Sequence, residues 1–260
     1  MRLMKVTALF ILKNSRGTPD QLTSKPFYGI LNQHPKKDWT QSERGAMYIA
    51  IEGVIGVGKT TLARMLQSRF DAELQLEVFE ENPFLADFYS DRERYAFQTQ
   101  IFFLLSRYHQ QRKSVREMVT NGHHLITDYT FAKDALFAGI NLSGDELEMY
   151  YRVHEALGEK VQLPDLIVYL QAETEVLMQR IAMRDRSYER NMESAYIEEL
   201  NQAYDHHFRH HYQGPPVLEI CTNDIDFVKN TTHLDLVEMK IRDELATILK
   251  QEKLPLGNGK

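Results

Sequence analysis

The chain has one cysteine, Cys221, among 260 residues. A single thiol excludes an internal disulfide framework and suits a reducing cytoplasm, the compartment expected here. Long apolar runs are also lacking. The stretch from Val6 to Leu12, interrupted by Thr7, falls far short of a membrane span, and although Arg2 and Lys5 precede it, no small-residue cleavage site follows. Positive charge is scarce beyond the start, because residues 1–46 carry a formal +5 while the rest of the chain carries −11. An acidic body of this kind argues against a nucleic-acid polymer as the main partner. What remains is ordinary globular material, 43% hydrophobic and 26% charged, enough for one sizeable core.

Residues 1–46 mix Gly17, Pro19, Pro26 and Pro35 with polar residues and hold no helical or strand period, which predicts a poorly ordered extension. From Met47 the pattern alternates. It predicts strands at 47–52, 73–79, 123–128, 166–170 and 217–220, and helices at 59–69, 91–120, 144–157, 173–183, 194–211 and 233–250. Strand and helix in alternation imply an α/β fold, a parallel sheet with helices on both faces, whose ligands gather at the carboxyl ends of the strands. The main unit therefore spans 47–250, followed by a tail over 251–260.

Behind the first strand comes Gly53-Val54-Ile55-Gly56-Val57-Gly58-Lys59-Thr60-Thr61. Glycine, four residues, then Gly-Lys-Thr is the spacing of a phosphate-binding loop. Its glycines let backbone amides turn toward phosphates, the following helix offers its positive end, Lys59 adds a mobile charge and Thr60 a magnesium ligand. The loop alone leaves ATPase, GTPase and kinase readings open; the chain contains no Asn-Lys-x-Asp motif for reading guanine nucleotides. Past the second strand three acids, Glu77, Glu80 and Glu81, compete for the role of a base near the site.

The remaining motifs fall in a telling order. Glu77-Val-Phe-Glu-Glu-Asn-Pro-Phe-Leu precedes Phe88-Tyr89 and Glu93-Arg94-Tyr95-Ala-Phe97-Gln98-Thr-Gln100; then follow Asp128-Tyr129-Thr130-Phe131-Ala-Lys133-Asp134 and Arg180-Ile-Ala-Met-Arg184-Asp-Arg186-Ser-Tyr188-Glu189. From about Met47 to Lys250 this ensemble resembles the deoxynucleoside kinase family, in particular the bacterial deoxyadenosine, deoxyguanosine and deoxycytidine kinases. The resemblance implies a three-layer P-loop kinase fold with an arginine-containing lid at about 184–193. It implies Glu77 as the base on the sugar 5'-hydroxyl, Tyr89 at the 3'-hydroxyl, Gln100 and Asp134 at the base edge with Arg107 shaping base preference, and Arg184 and Arg186 closing over the donor phosphates. Asp128 joins Thr60 at magnesium. One of Phe97 and Phe131 is a candidate for lining the base pocket.

Three departures stand out. Val78 replaces the proline that usually follows the glutamate, and Tyr129 replaces an arginine, a charge that Lys133, Arg184 and Arg186 are expected to supply. The sugar-contacting acid after the lid aligns on Ala195, with Glu193 nearby. The implied activity is transfer of the γ-phosphoryl of ATP, with magnesium, to a deoxynucleoside, by a homodimer. Two rivals are a nucleoside monophosphate kinase and a non-catalytic nucleotide-binding subunit of the same fold. His206, His207, His210 and His211 could mimic a metal site, but that spacing more often marks an exposed helix. Cys221 is expected to be packed inside.

Overall fold

A computed structural model of the chain describes residues 45–252, so most of the proposed extension at 1–46 and residues 253–260 of the tail lie outside the described residues. The sheet has five parallel strands in the order β2-β3-β1-β4-β5. They are β1 (Tyr48–Gly53), β2 (Ala72–Gln75), β3 (His124–Thr127), β4 (Leu166–Gln171) and β5 (Val217–Cys221). Parallel strands covered on both faces need apolar side chains in both directions. β1 meets this demand: Ile49 and Ile51 enter the larger core, while Tyr48 and Ala50 point the other way, to Val115, Leu125 and Ile167.

The helices are α1 (Lys59–Gln67), α2 (Leu85–Ser90), α3 (Arg92–Gln110), α4 (Arg116–Thr120), α5 (Lys133–Asn141), α6 (Gly144–Gly158), α7 (Thr174–Arg184), α8 (Ser194–His206) and α9 (Thr231–Glu252). A π-helical turn at Gln111–Val115 joins α3 to α4, and a second at His207–His211 extends α8. Among the described residues, no helix is long and apolar enough to cross a membrane.

Several boundaries differ from expectation. The second strand stops at Gln75 instead of running to 79, because its partner β3 ends at Thr127 and the next free amide, that of Glu77, donates to the Asp128 carboxylate at 2.7 Å. Short α2 and α5 interrupt segments read as irregular. Leu105 is exposed on α3, whose buried face carries Gln100 and Arg107. Cys221 is exposed at the end of β5, because only alternate side chains of that edge strand point inward.

Candidate active site

The loops after β1, β2 and β5, the start of α1, one face of α3, and α7 with the segment after it enclose a cleft of about 980 Å³. At its floor the loop after β1 curls tightly. Gly56 holds φ +89°, and a Cβ there would come within 2.9 Å of Leu177 O and Ile181 Cγ1. Gly58, with φ +105°, starts α1 and aims its first amides into the cleft. Lys59 Nζ donates to Gly53 O at 2.7 Å and Val54 O at 3.0 Å, resting on its own loop. Burial, and then the charge of Lys133, push its pKa down to about 7.

Buried Glu52, which sequence reading passed over, fastens this loop. One carboxylate oxygen accepts from Thr130 N at 2.5 Å and Thr130 Oγ1 at 2.9 Å, the other from Gly53 N at 3.1 Å and Tyr204 Oη at 3.3 Å. Its position just before the first glycine was the available signal. Asp128 makes a second junction, accepting from Thr60 Oγ1 and from the Glu77 amide. Two adjacent hard oxygen donors fit a magnesium ion.

Of the three competing acids, Glu77 lines the cleft while Glu80 and Glu81 are exposed. Arg107 pairs with one Glu77 oxygen, and Lys133 Nζ reaches the other at 2.6 Å. Burial alone would raise this carboxyl's pKa, but the two cations outweigh it and hold it well below the usual carboxylate range. Lys133 therefore spends its charge on Glu77. Tyr129 has its ring buried in the core, its hydroxyl among the polar groups without a partner, and does not line the cleft.

Arg107 also pairs with Asp134, which is fully buried behind it and does not itself line the cleft. Asp134 thus meets the cleft only by way of Arg107. Gln100 is buried, lines the cleft and, among the described residues, has no hydrogen-bond partner for its side-chain amide. The aromatic walls differ from expectation: Phe103 and Phe137 line the cleft, whereas Phe131 stacks on His154 with ring centroids 4.6 Å apart and Phe97 packs against the core. Phe103 lies one turn before Arg107, and Phe137 one turn after Lys133 on the missed α5.

At the outer rim, Tyr89 stacks on Tyr188, centroids 6.0 Å apart at 13°. Arg184 and Arg186 line the cleft, both paired with the buried Glu189. Glu189 also lines it, while Ala195 and Glu193 do not. An acid is therefore present near Tyr89, six residues before the aligned position. The opposite rim is the segment Asn223–Lys229 after β5, also missed. Arg180 ties it to the floor, donating to Thr222 O at 2.6 Å, Ile225 O at 3.4 Å and Val57 O at 3.4 Å. His206 and His211 face each other, Nε2 to Nε2 at 2.9 Å, on the π-helical turn.

The family model for deoxynucleoside kinase matches residues 49–246. The chain belongs to the deoxynucleoside kinase family. Among its relatives, the deoxyguanosine kinase of Bacillus subtilis (strain 168) is 34% identical, over 76% of this chain and 97% of that protein. The deoxyadenosine kinase of Dictyostelium discoideum is 31% identical, over 74% and 78% of the two chains. Among solved structures, a deoxyadenosine kinase from M. mycoides with bound dATP superposes with a TM-score of 0.64 at 25% identity, covering 75% of this chain and 99% of that one. The same kinase with the products dCMP and a flexible dCDP gives a TM-score of 0.65 at 26% identity, covering 76% and 99%. For a deoxynucleoside kinase, one cleft that joins a phosphate-binding loop to a buried carboxylate and an arginine-bearing rim is the expected working surface.

Proposed function

We propose that this enzyme transfers the γ-phosphoryl group of ATP to the 5'-hydroxyl of a 2'-deoxynucleoside, giving the monophosphate for nucleotide salvage in the cytoplasm. The observation that carries the reading is Glu77: a cleft-lining carboxylate, held by two cations, whose own backbone amide is tied to the acid beside Thr60. Donor and acceptor ends of the cleft are thereby fixed to one another. The P-loop amides and Lys59 receive the donor phosphates, and Arg184 and Arg186 close on them. Thr60 and Asp128 would hold magnesium, which neutralises phosphate charge when bound.

Glu77 accepts the hydrogen bond of the 5'-hydroxyl and aims its oxygen at the phosphorus. Its low proton affinity suits the task, because a loose phosphoryl-transfer transition state needs an oriented hydroxyl more than a strong base. With Lys133 engaged by Glu77, the positive charge that Tyr129 lacks at the donor phosphates falls to Arg184 and Arg186. Tyr89 and Glu189 meet the 3'-hydroxyl. The free amide of Gln100 can donate and accept in one plane, which matches the paired donor and acceptor on either purine edge, and the Arg107–Asp134 pair behind it discriminates. Cytosine offers the same adjacent donor and acceptor, so the ranking of purine deoxynucleosides ahead of deoxycytidine rests on the deoxyguanosine and deoxyadenosine kinases among the relatives.

A homodimer is proposed from the resemblance, with the exposed Leu105 of α3 and Met149 of α6 on the surface that would meet the second copy. A monophosphate kinase is not favoured. The cleft-lining cations beside the acceptor end, Arg107 and Lys133, are already neutralised by Glu77 and Asp134, leaving little to grip an acceptor phosphate. The test is a steady-state comparison of deoxyguanosine, deoxyadenosine, deoxycytidine, thymidine and thymidine monophosphate with ATP and magnesium. A higher kcat/KM for the purine deoxynucleosides supports the proposal. Preference for the monophosphate, or turnover of none, refutes it.

A further inference from the structure

Glu189 lines the cleft together with Arg184, Arg186 and Tyr89. Its side chain is only 4% exposed, yet it takes both bonds of the Arg184 fork, Nε to Oε2 at 2.7 Å and Nη2 to Oε1 at 2.6 Å. Arg186 Nη1 lies 3.6 Å from the same Oε1, and its guanidinium carbon sits 4.1 Å from the centroid of the Phe79 ring. A fork closed on a carboxylate is the arrangement a guanidinium uses on a phosphate. Arg184 therefore cannot use its fork on a donor phosphate without giving up Glu189. The neighbour of Glu189, Tyr188, is stacked on Tyr89, which lies within the electrostatic reach of both Glu189 and Arg184.

We propose that Glu189 is a positioning residue that couples the two substrates: without a nucleoside it holds the lid arginines as a stand-in for phosphate, and a sugar hydroxyl donating to it releases them to the donor. The inference rests on the nucleoside kinase reading for the identity of the releasing ligand. Its energetic basis is that a buried carboxylate stripped of its cations is costly unless another donor takes their place. The 3'-hydroxyl is such a donor, and a sugar lacking it is not. Coupling of this kind is reciprocal, so ATP must tighten nucleoside binding by the same factor by which nucleoside tightens ATP. It also keeps the arginines off the γ-phosphate while only water is present, which limits wasteful hydrolysis.

The test is calorimetric titration of the full chain with a non-hydrolysable ATP analogue and magnesium, alone and with saturating deoxyguanosine or 2',3'-dideoxyguanosine. Deoxyguanosine is expected to tighten analogue binding roughly five- to twentyfold, within the usual span of coupling between sites, and the dideoxynucleoside to leave it within twofold. In Glu189→Gln the analogue alone is expected to bind several-fold tighter than in the parent protein, with the effect of deoxyguanosine gone. Equal tightening by both nucleosides in the parent protein overturns the proposal, and that arm needs no variant to fold. Unchanged or weaker binding of the analogue alone to a folded Glu189→Gln protein also overturns it. Failure of the underlying kinase reading looks different, since no nucleoside would then be phosphorylated whatever the analogue does.

Discussion

Glu77 is surrounded by opposing influences: burial favours its neutral form, and Arg107 and Lys133 favour the charged form and prevail. Replacing it with Gln keeps the shape but removes the acceptor charge, and kcat is expected to fall roughly 10²- to 10⁴-fold, the usual range for a positioned acid or base. Undiminished turnover would move the role to another group. Lys133→Ala should act through the same carboxyl. Without that cation the pKa of Glu77 rises, so the acidic limb of the kcat/KM profile moves to higher pH. A profile superimposable on that of the parent protein contradicts the assigned pairing. Glu77 was recognisable in the sequence only with the help of family resemblance, since nothing in its spacing separates it from Glu80 and Glu81. Its partners were harder to see. Arg107 lies thirty residues away and Lys133 fifty-six, and such contacts exist only once α3 and α5 are packed.

At the scale of elements, the P-loop was legible because its constraints are local. Each glycine answers to a backbone angle or a close neighbour within the same unit. Gly53 holds φ +144° against β4, where a Cβ would collide with Leu170 O and come within 2.9 Å of Val57 Cγ1. Gly122 holds φ +81° but has nothing within 4 Å of a Cβ. Gly122→Ala should therefore cost about 1 kcal/mol, the strain of the angle alone, and Gly53→Ala about 3 kcal/mol or more, with the backbone collision added. Urea unfolding of the two variants checks this, and equal losses would contradict it. The second strand was over-extended because Leu74, Leu76 and Val78 continue its alternation, whereas its true end is set by where β3 stops pairing. Helix α2 was missed because at six residues it is too short to show a period, and α5 because it lacks the preceding loop motif that marked the equally short α1. With α5 went Phe137 and the setting of Lys133, so part of the cleft could not be read from sequence.

The molecule as a whole buries groups that water would otherwise ionise. His207, the buried first residue of the π-helical turn, has neither ring nitrogen bonded among the described residues, and burial, then the nearby His211 and His206, push its pKa down to about 4. Between the ordinary histidine value and that lower one, the unfolded chain binds a proton the folded chain refuses. Stability should therefore fall as pH drops from about 6.5 to about 4, by at most ~3 kcal/mol from this group. Urea midpoints measured across that interval should slope less steeply in His207→Leu; an unchanged slope assigns the dependence elsewhere. At this scale the parallel sheet was readable from the alternation of strand and helix, and the meeting of lid, loop and acid over one cleft only through the family resemblance. The central claim is that this cleft brings a donor phosphate to a sugar oxygen. The most direct measurement is the fate of the label when the protein is incubated with γ-labelled ATP, magnesium and deoxyguanosine. Label on the 5'-oxygen of deoxyguanosine monophosphate is the predicted result; label only in inorganic phosphate, or in a diphosphate when the monophosphate is supplied instead, would contradict it.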